Sequence, residues 1–289
     1  MTPADYCREK VAQPGSSLYY STLFLPAGKR ESIIAVEACF REIADVIDKC
    51  QEAAVARIKL AWWREELERA FSGAPRHPVS QALQPAIAAE ALNFETFDAF
   101  IDGVDMQLEY ERYQTFDDLQ RHCERVGSPA GLLSAQIFGY QDSATVDCAR
   151  QLGAAHELTR IVRDIGRDAR RNRIYLPMED LQRFDVPVSV LLNAGEAAGF
   201  QSLMTHQIER AEGLYRDAVA RLPEGDRAQQ LPVLIMAALN CTLLRELRAE
   251  GAHILRQRTA LPPLRMLWIA WRTRRRERRR LRQRRRQRA

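Results

Sequence analysis

Two acidic residues, Asp164 and Asp168, lie four positions apart in the segment 157–177. If this segment is helical, both carboxylates project from one face, one turn apart, on a stripe that begins with Glu157 and Arg160. Carboxylates at this separation repel each other unless a cation lies between them. That cation is either Mg²⁺, which binds one or two carboxylates together with waters and phosphate oxygens, or an arginine. Ion pairs on an ordinary solvated helix face are the alternative interpretation.

A second charged stripe with nearly the same spacing precedes this one in the chain. Two helices whose acidic stripes face each other across a cavity would hold a metal cluster and a diphosphate between them. The two stripes are therefore candidates for opposite walls of one site. The members of the second stripe are Glu37, Arg41, Ala44 and Asp48, and Asp45 stands beside it.

The helices that must position these stripes follow from the spacing of apolar residues. No strand-like alternation is sustained anywhere, which predicts an all-α fold. Gly127, Ser128 and Pro129 predict a break between two helices. Gly131 marks a close approach either to substrate or to a neighbouring helix, and helix packing is the favoured alternative. His122 has no partner at metal-ligand spacing, which favours a packed histidine. The predicted helices are 29–50, 52–71, 79–91, 94–113, 116–125, 130–140, 145–170, 180–184, 188–192, 196–222 and 229–255.

The composition of the chain places limits on its class. At 289 residues and 46% hydrophobic content, the chain is long enough to bury a substantial core. No apolar run reaches the length of a membrane-spanning helix, and no signal peptide is expected. Six cysteines without C-x-x-C spacing predict reduced thiols and a cytoplasmic protein. Without a glycine-rich nucleotide loop, no nicotinamide cofactor is expected.

The last 18 residues carry most of the positive charge. Residues 272–289 contain twelve arginines and one glutamate, so the rest of the chain is acidic although the whole chain is +5. We predict a disordered tail, and the tryptophans just before it, in Leu261–Trp271, favour an anchor on an anionic membrane surface through Arg272–Arg288. Nucleic-acid binding and a merely solvated tail are the alternatives. The membrane interpretation places the protein at the inner membrane face.

Short motifs distributed from Tyr6 to Trp271 carry a resemblance to a known family. Together they resemble the squalene/phytoene synthase family of head-to-head prenyl transferases and, within it, the bacterial presqualene diphosphate synthases of the hopanoid squalene pathway. The motifs are Gly15–Tyr20, Leu25–Pro26, Arg41–Ile43, Leu60–Leu67, Gly131–Leu133, Ile137–Tyr140, Arg163–Asp168, Arg173–Pro177 and Leu267–Trp271.

This resemblance implies a fold and a reaction. The fold is a single-domain isoprenoid-synthase-type helical bundle, over residues 1–271, around a central apolar cavity. Two farnesyl diphosphates bind with Mg²⁺, one ionises to an allylic cation, and the double bond of the other attacks it to form presqualene diphosphate. Other enzymes of the squalene pathway are possible partners.

The resemblance also implies a role for individual residues. The N-terminal arm contains Ser16, Ser17 and Tyr20, and the alternative interpretation is that this arm simply packs on the bundle. The implied metal ligands are Asp45, Asp48, Asp164 and Asp168. The implied catalytic residues are Arg41, Arg163 and Tyr175, and the implied substrate-binding residues are Ser16, Ser17, Tyr20, Arg41, Arg163 and Arg173.

Six positions depart from the family pattern, and they gather on its motifs. Arg160 stands one turn before Asp164, an i,i+4 spacing that favours an ion pair. We expect Arg160 and Glu157 to rebuild the metal site as a salt-bridge network in which Mg²⁺ binding is weakened or lost. Two hypotheses follow: an active transferase, or a catalytically degenerate homologue that serves as a binding or assembly protein. The departures are Glu37, Ala44, Gln107, His122, Glu157 and Arg160.

Overall fold

The computed structural model describes residues 1–50, 52–109, 112–195 and 197–288. Over these residues the prediction of an all-α fold is confirmed: no strand is present, and Arg112 and Ile174 form one isolated bridge. The α-helices are α1 (Pro3–Val11), α2 (Ser17–Thr22), α3 (Ala27–Lys49), α4 (Ala53–Phe71), α5 (Pro78–Ala89), α6 (Phe94–Asp105), α7 (Phe116–Phe138), α8 (Ala144–Ala169), α9 (Met178–Arg183), α10 (Val188–Leu192), α11 (Phe200–Arg221), α12 (Leu231–Glu250) and α13 (Pro263–Arg288).

The two helices that carry the charged stripes bury their apolar faces in two different parts of the core. Helix α3 buries Ile43 and Ile47 in a core shared with α5 and α6, and α8 buries Leu158 and Ile161 in a core shared with α11 and α12. Burial of each such side chain stabilises the fold by about 1.5–3 kcal/mol. Because a helix repeats every 3.6 residues, fixing these faces leaves the charged stripes on the remaining surface.

The predicted break at Gly127–Pro129 is wrong, because α7 runs unbroken from Phe116 to Phe138. The glycines serve close packing here: a Cβ on Gly127 would lie 2.2 Å from the carbonyl oxygen of Gly153 on α8. A Cβ on Gly131 would likewise lie 2.1 Å from the Ala149 carbonyl oxygen, which confirms the predicted close contact. Pro129 removes only one helical N–H donor, and the contact with α8 holds the helix through it.

Other predicted boundaries shift by a few residues. The fourth predicted helix ends early, at Asp105, and continues as a 3-10 turn over Met106–Leu108. The helix predicted from Glu196 begins at Phe200, and Glu196 itself lies outside the described residues. All six cysteines are free thiols, as predicted.

The predicted disordered tail is instead part of α13 over its described residues. Residues of α13 form ion pairs with residues on the body of the protein, which explains the order. Arg227, beyond α11, forms a buried ion pair with Glu277, with Nε 2.8 Å from Oε2. Arg280 binds Glu224 in the same way, with Nε 2.9 Å from Oε2. Within the part of the chain that the structure describes, no helix is long and apolar enough to cross a membrane.

Candidate functional site

The two charged stripes meet at Arg167 on α8. Its Nη2 atom lies 3.5 Å from Asp164 Oδ2 and 3.9 Å from Asp48 Oδ2 on α3. Its Nε atom lies 3.5 Å from Asp168 Oδ1. The two acidic stripes therefore face each other, and a guanidinium group joins them.

Arg160 forms the expected pair with Glu157 but not with Asp164. Its Nε atom donates to both Glu157 oxygens at 2.9 and 3.0 Å, and its Nη1 atom donates to Asp168 at 3.2 Å. The predicted ion pair between Arg160 and Asp164 is wrong. Asp164 is held by its neighbour Arg163, whose Nε and Nη2 atoms donate to its two oxygens at 2.9 and 2.6 Å. This two-point contact uses the oxygens that Arg160 would need.

The pKa values of the two aspartates diverge because their neighbours differ. Burial alone would raise the pKa of Asp164, but hydrogen bonds and charge from Arg163, with further charge from Arg167 and Arg258, lower it to about 2. Burial raises the pKa of Asp168, and Arg160 and Arg167 only partly oppose that rise. Asp164 is therefore the more tightly held carboxylate of the pair.

The oxygens of these carboxylates do not fit magnesium. Mg²⁺ needs near-octahedral oxygen ligands at about 2.0–2.1 Å, whereas each oxygen of Asp48, Asp164 and Asp168 has an arginine nitrogen within 3.5 Å. Among the described residues, no group of three or more His, Cys, Asp or Glu side chains is arranged to hold a metal ion. Arginines thus stand where a metal cluster would bridge the two helices.

Tyr175 is the centre of a second contact network. Its hydroxyl donates to Gln107 Oε1 at 2.9 Å, and its ring lies 5.3 Å from the Arg160 guanidinium and 5.4 Å from the His122 ring. His122 is buried, as predicted for a packed histidine, and its Nε2 atom is 3.4 Å from Glu157 Oε1. Three of the six departures, Gln107, Arg160 and His122, therefore contact this tyrosine, and Glu157 contacts Arg160 and His122. Burial raises the pKa of Tyr175, so its hydroxyl is a proton donor at neutral pH.

We infer an internal space beside His156 on α8, near the arginines, and call it the cleft. The His156 side chain is exposed, yet burial, together with the charges of Arg163 and Arg41, lowers its pKa to about 4. A side chain that is both accessible and surrounded by protein lines an internal space. Asn240 Nδ2 lies 2.9 Å from His156 Nδ1. Burial also raises the pKa of Glu37, one turn before Arg41 on α3.

Several predicted site residues lie apart from this cluster. The carboxylate of Asp45 contacts Lys10 Nζ at 2.8 Å and Lys49 Nζ at 3.1 Å, because one residue along α3 turns a side chain by about 100°. Asp45 therefore pairs with two lysines and not with the arginines that hold Asp48, and its role as a metal ligand stays a prediction. Ser16 caps α2 by accepting a hydrogen bond from the Tyr19 amide at 3.1 Å.

The other two residues of the N-terminal arm also have local roles. Tyr20 is buried in the core and packs edge-on against the Tyr19 ring. Ser17 is the half-buried first residue of α2. The structure thus gives this arm a packing role, and a diphosphate contact through its hydroxyls stays a prediction.

Sequence reasoning missed three arginines of the site. Arg171 lies 2.7 Å from Asp48 Oδ2, and Arg258 lies 3.1 Å from Asp164 Oδ1. Arg167 lies within the second motif, and its spacing of three residues from Asp164 could have predicted an ion pair with that residue. No sequence pattern indicates that Arg258 contacts Asp164, because Arg258 follows α12 in a segment without regular spacing. Arg173, predicted to bind substrate, also holds Asp48, with Nη1 3.0 Å from Oδ1.

The fold and the site together indicate the class of protein. An all-helical bundle with two facing acidic helices at a cleft is an isoprenoid-synthase-type fold. The family model described as squalene/phytoene synthase matches residues 11–265. The chain therefore belongs to the squalene/phytoene synthase family of head-to-head prenyl transferases.

Curated relatives and solved structures agree with this assignment. The chain is 32% identical to the 15-cis-phytoene synthase of Synechocystis sp. over 282 residues, covering 92% of this chain and 84% of that protein. It is 32% identical to the phytoene synthase of Arthrospira platensis, covering 89% and 88%.

The structural comparisons give the same fold. The squalene synthase HpnC of Alicyclobacillus acidocaldarius superposes with a TM-score of 0.73 at 25% identity, covering 86% of this chain and 94% of that one. A dehydrosqualene synthase in complex with ligand superposes with a TM-score of 0.80 at 23% identity, covering 94% and 95%, and shares the fold.

Proposed function

We propose that the protein is a prenyl-diphosphate-binding member of its family that does not form presqualene diphosphate. One observation carries this proposal: Arg167 joins Asp48 to Asp164 and Asp168 where the family reaction needs Mg²⁺. The ligand is farnesyl diphosphate, with its chain in the cleft and its diphosphate at the mouth. Such a protein would act as a binding or assembly partner beside active enzymes of the squalene pathway.

The cleft supports binding because it keeps cationic groups at its mouth. Arg41 from α3 is exposed, and Arg163 from α8 acts on the same histidine, so both line one space. Ionisation of an allylic diphosphate also requires that the cation formed is not quenched or repelled. The Arg160 guanidinium lies over the Tyr175 ring, and its fixed positive charge disfavours the formation of a carbocation nearby.

Presqualene diphosphate synthase activity is the second candidate. The observation that favours it is that Arg41, Arg163 and Tyr175, the three residues with an implied catalytic role, all border the cleft or the arginines next to it. In that case arginines, and not a metal, would stabilise the departing diphosphate.

One experiment separates the two candidates. The folded protein is incubated with farnesyl diphosphate and Mg²⁺, and diphosphate release and presqualene diphosphate are measured together with ligand binding by equilibrium dialysis. We expect binding without product, and about tenfold weaker binding for Arg41→Gln, since a charged hydrogen bond is lost. Arg150→Gln, an exposed arginine at the start of α8, is the matched control. Product that disappears in Asp164→Ala would establish the synthase instead.

We further propose that α13 holds the protein on an anionic membrane surface. Four exposed apolar residues form one stripe at i, i+3, i+4 and i+7, while the opposite face of the helix is buried. Arg272 and Arg275 lie over the two indole rings, at 5.0 and 5.1 Å from the ring centroids. Indoles beside guanidinium groups suit the interface between lipid headgroups and acyl chains. The stripe consists of Leu264, Leu267, Trp268 and Trp271.

Co-sedimentation with lipid vesicles tests this surface. We expect binding to vesicles that contain phosphatidylglycerol and weak binding to pure phosphatidylcholine. The double variant Trp268→Ala/Trp271→Ala should lose about tenfold in affinity, whereas Trp62→Ala, an exposed tryptophan on α4, should not. Equal binding of both variants, or of both lipids, would refute the proposal.

A further inference from the structure

Six arginines surround the four carboxylates of the site. Opposite these six guanidinium groups are Glu157, Asp48, Asp164 and Asp168, so the cluster is net positive by two charges. We call the six residues the arginine cluster: Arg160, Arg163, Arg167, Arg171, Arg173 and Arg258.

Two of the carboxylates, Asp164 and Asp168, are more deeply buried than any side chain of the arginine cluster, whereas Asp48 is about as exposed as several of these arginines. The side chains of Asp164 and Asp168 are only 1% and 5% exposed, and Asp48 is 27% exposed. The arginine side chains are 22–59% exposed. A cation that enters from solvent would therefore have to displace guanidinium groups to reach Asp164 or Asp168.

The arginine cluster has hydrogen-bonding capacity that its carboxylates do not use. A guanidinium has five N–H donors, yet the contacts of Arg167 are ion pairs at 3.5–3.9 Å, and its buried Nε atom has no hydrogen-bond partner. Arg163, Arg167 and Arg258 all contact Asp164, so three guanidinium groups lie close together. Like charges held together in this way favour a multivalent anion between them.

We propose that the arginine cluster binds the diphosphate group of a prenyl diphosphate directly, without Mg²⁺. This inference rests on the proposed function, that the cleft takes a prenyl diphosphate. The arginines replace the metal ions as the positive groups that join the two helices to the ligand. The buried carboxylates of Asp164 and Asp168 hold arginines in position instead of binding a metal.

Metal-mediated and metal-free binding predict opposite effects on diphosphate affinity when an aspartate charge is removed. Where Mg²⁺ links protein and ligand, removal of an aspartate charge weakens diphosphate binding. In the arginine cluster, Asp48 competes with the ligand for Arg171 and Arg173, so Asp48→Asn frees two guanidinium groups. We expect Asp48→Asn to bind diphosphate about fivefold more tightly, as expected for removal of one negative charge near the ligand.

Isothermal titration calorimetry of the full chain tests the inference, with inorganic diphosphate and farnesyl diphosphate as probes. Each titration is run once with EDTA and once with Mg²⁺. We expect farnesyl diphosphate to bind in EDTA, with no more than about a threefold change on adding Mg²⁺. Arg167→Gln should bind about tenfold more weakly. Asp147→Asn and Arg150→Gln, an exposed pair at the start of α8, are the matched controls.

Each outcome decides between the possibilities. Binding that requires Mg²⁺ and is lost in Asp48→Asn overturns the metal-free mode and leaves the proposed function standing. Absence of farnesyl diphosphate binding in both buffers, with the protein shown to be helical by circular dichroism, overturns both. If Arg167→Gln fails to fold, Arg258→Gln replaces it, because that side chain is 59% exposed and its loss leaves Asp164 paired with Arg163.

Discussion

Arg160 Nη1 lies 3.2 Å from Asp168 Oδ2, eight residues further along the same helix. The arginine thus spans two turns of α8 and passes Asp164, which its neighbour Arg163 already holds. Glu157 contacts the other side of the same guanidinium. The acidic stripe is therefore a chain of alternating charges, in which each carboxylate is paired with at least one arginine.

Restoring the family residues should restore metal binding. The triple variant Ala44→Asp, Glu157→Gln, Arg160→Asn returns a carboxylate to α3 and removes the guanidinium that contacts Asp168. We expect Mg²⁺ affinity to rise by at least about tenfold, since Asp168 then loses its contact with Arg160 and α3 gains a carboxylate. Calorimetric titration with Mg²⁺, beside Arg150→Asn as a control, measures the change. An unchanged titration would show that Arg160 does not block the metal.

The contact between α7 and α8 should tolerate no side chain at Gly131. Gly131→Ala places a Cβ against the Ala149 carbonyl oxygen, where only 2.1 Å is available, so the two helices must separate. We expect a loss of about 2–4 kcal/mol in the free energy of unfolding. Gly28→Ala, whose Cβ would meet open space, is the control and should cost nothing. Equal denaturation midpoints for the two variants would contradict this prediction.

The buried pair Arg227–Glu277 should decide whether the basic end of α13 is ordered. Glu277→Gln leaves an unpaired guanidinium that is almost fully buried, which typically costs about 3–5 kcal/mol. We expect faster amide hydrogen exchange over residues 272–284 and a lower melting temperature. Glu224→Gln removes an exposed pair to Arg280 and should have a much smaller effect. Similar exchange in the two variants would argue against this role of the buried pair.

Acid should destabilise the protein in two separate pH windows. The pKa of His156 is about 4, below its usual 6.5, so the neutral ring favours folding and this stability is lost as pH falls from about 6.5 to 4. The pKa of Asp164 is about 2, below its usual 3.8, so its contribution is lost from about pH 4 to 2. Asp168, whose pKa is raised, acts in the opposite direction.

Urea denaturation across this pH range separates the two windows. His156→Gln should remove the loss of stability between pH 6.5 and 4 and keep the loss below pH 4. His253→Gln, an exposed histidine beyond α12, is the control and should keep both windows. A parallel decline of His156→Gln and the unmodified protein between pH 6.5 and 4 would contradict the assignment.

Helix identity and the facing of the two acidic stripes were predictable from the sequence. Apolar spacing sets which side of α3 and α8 is buried, and that choice also sets where Asp48, Asp164 and Asp168 lie. The unbroken course of α7 through Pro129 was not predictable in this way. A local signal for a break was outweighed by packing against Gly153, a residue that only the fold brings near.

By itself, the sequence determined the family, the helices and the presence of arginines among the acidic motifs, because all three depend on residue type and short spacing. Only the tertiary structure decided which carboxylate each arginine holds. Arg173 reaches Asp48 across 125 positions of sequence, and Arg258 reaches Asp164 across 94. An ion pair forms with whichever partner lies within a few ångströms, and that distance is set by the packing of the whole bundle.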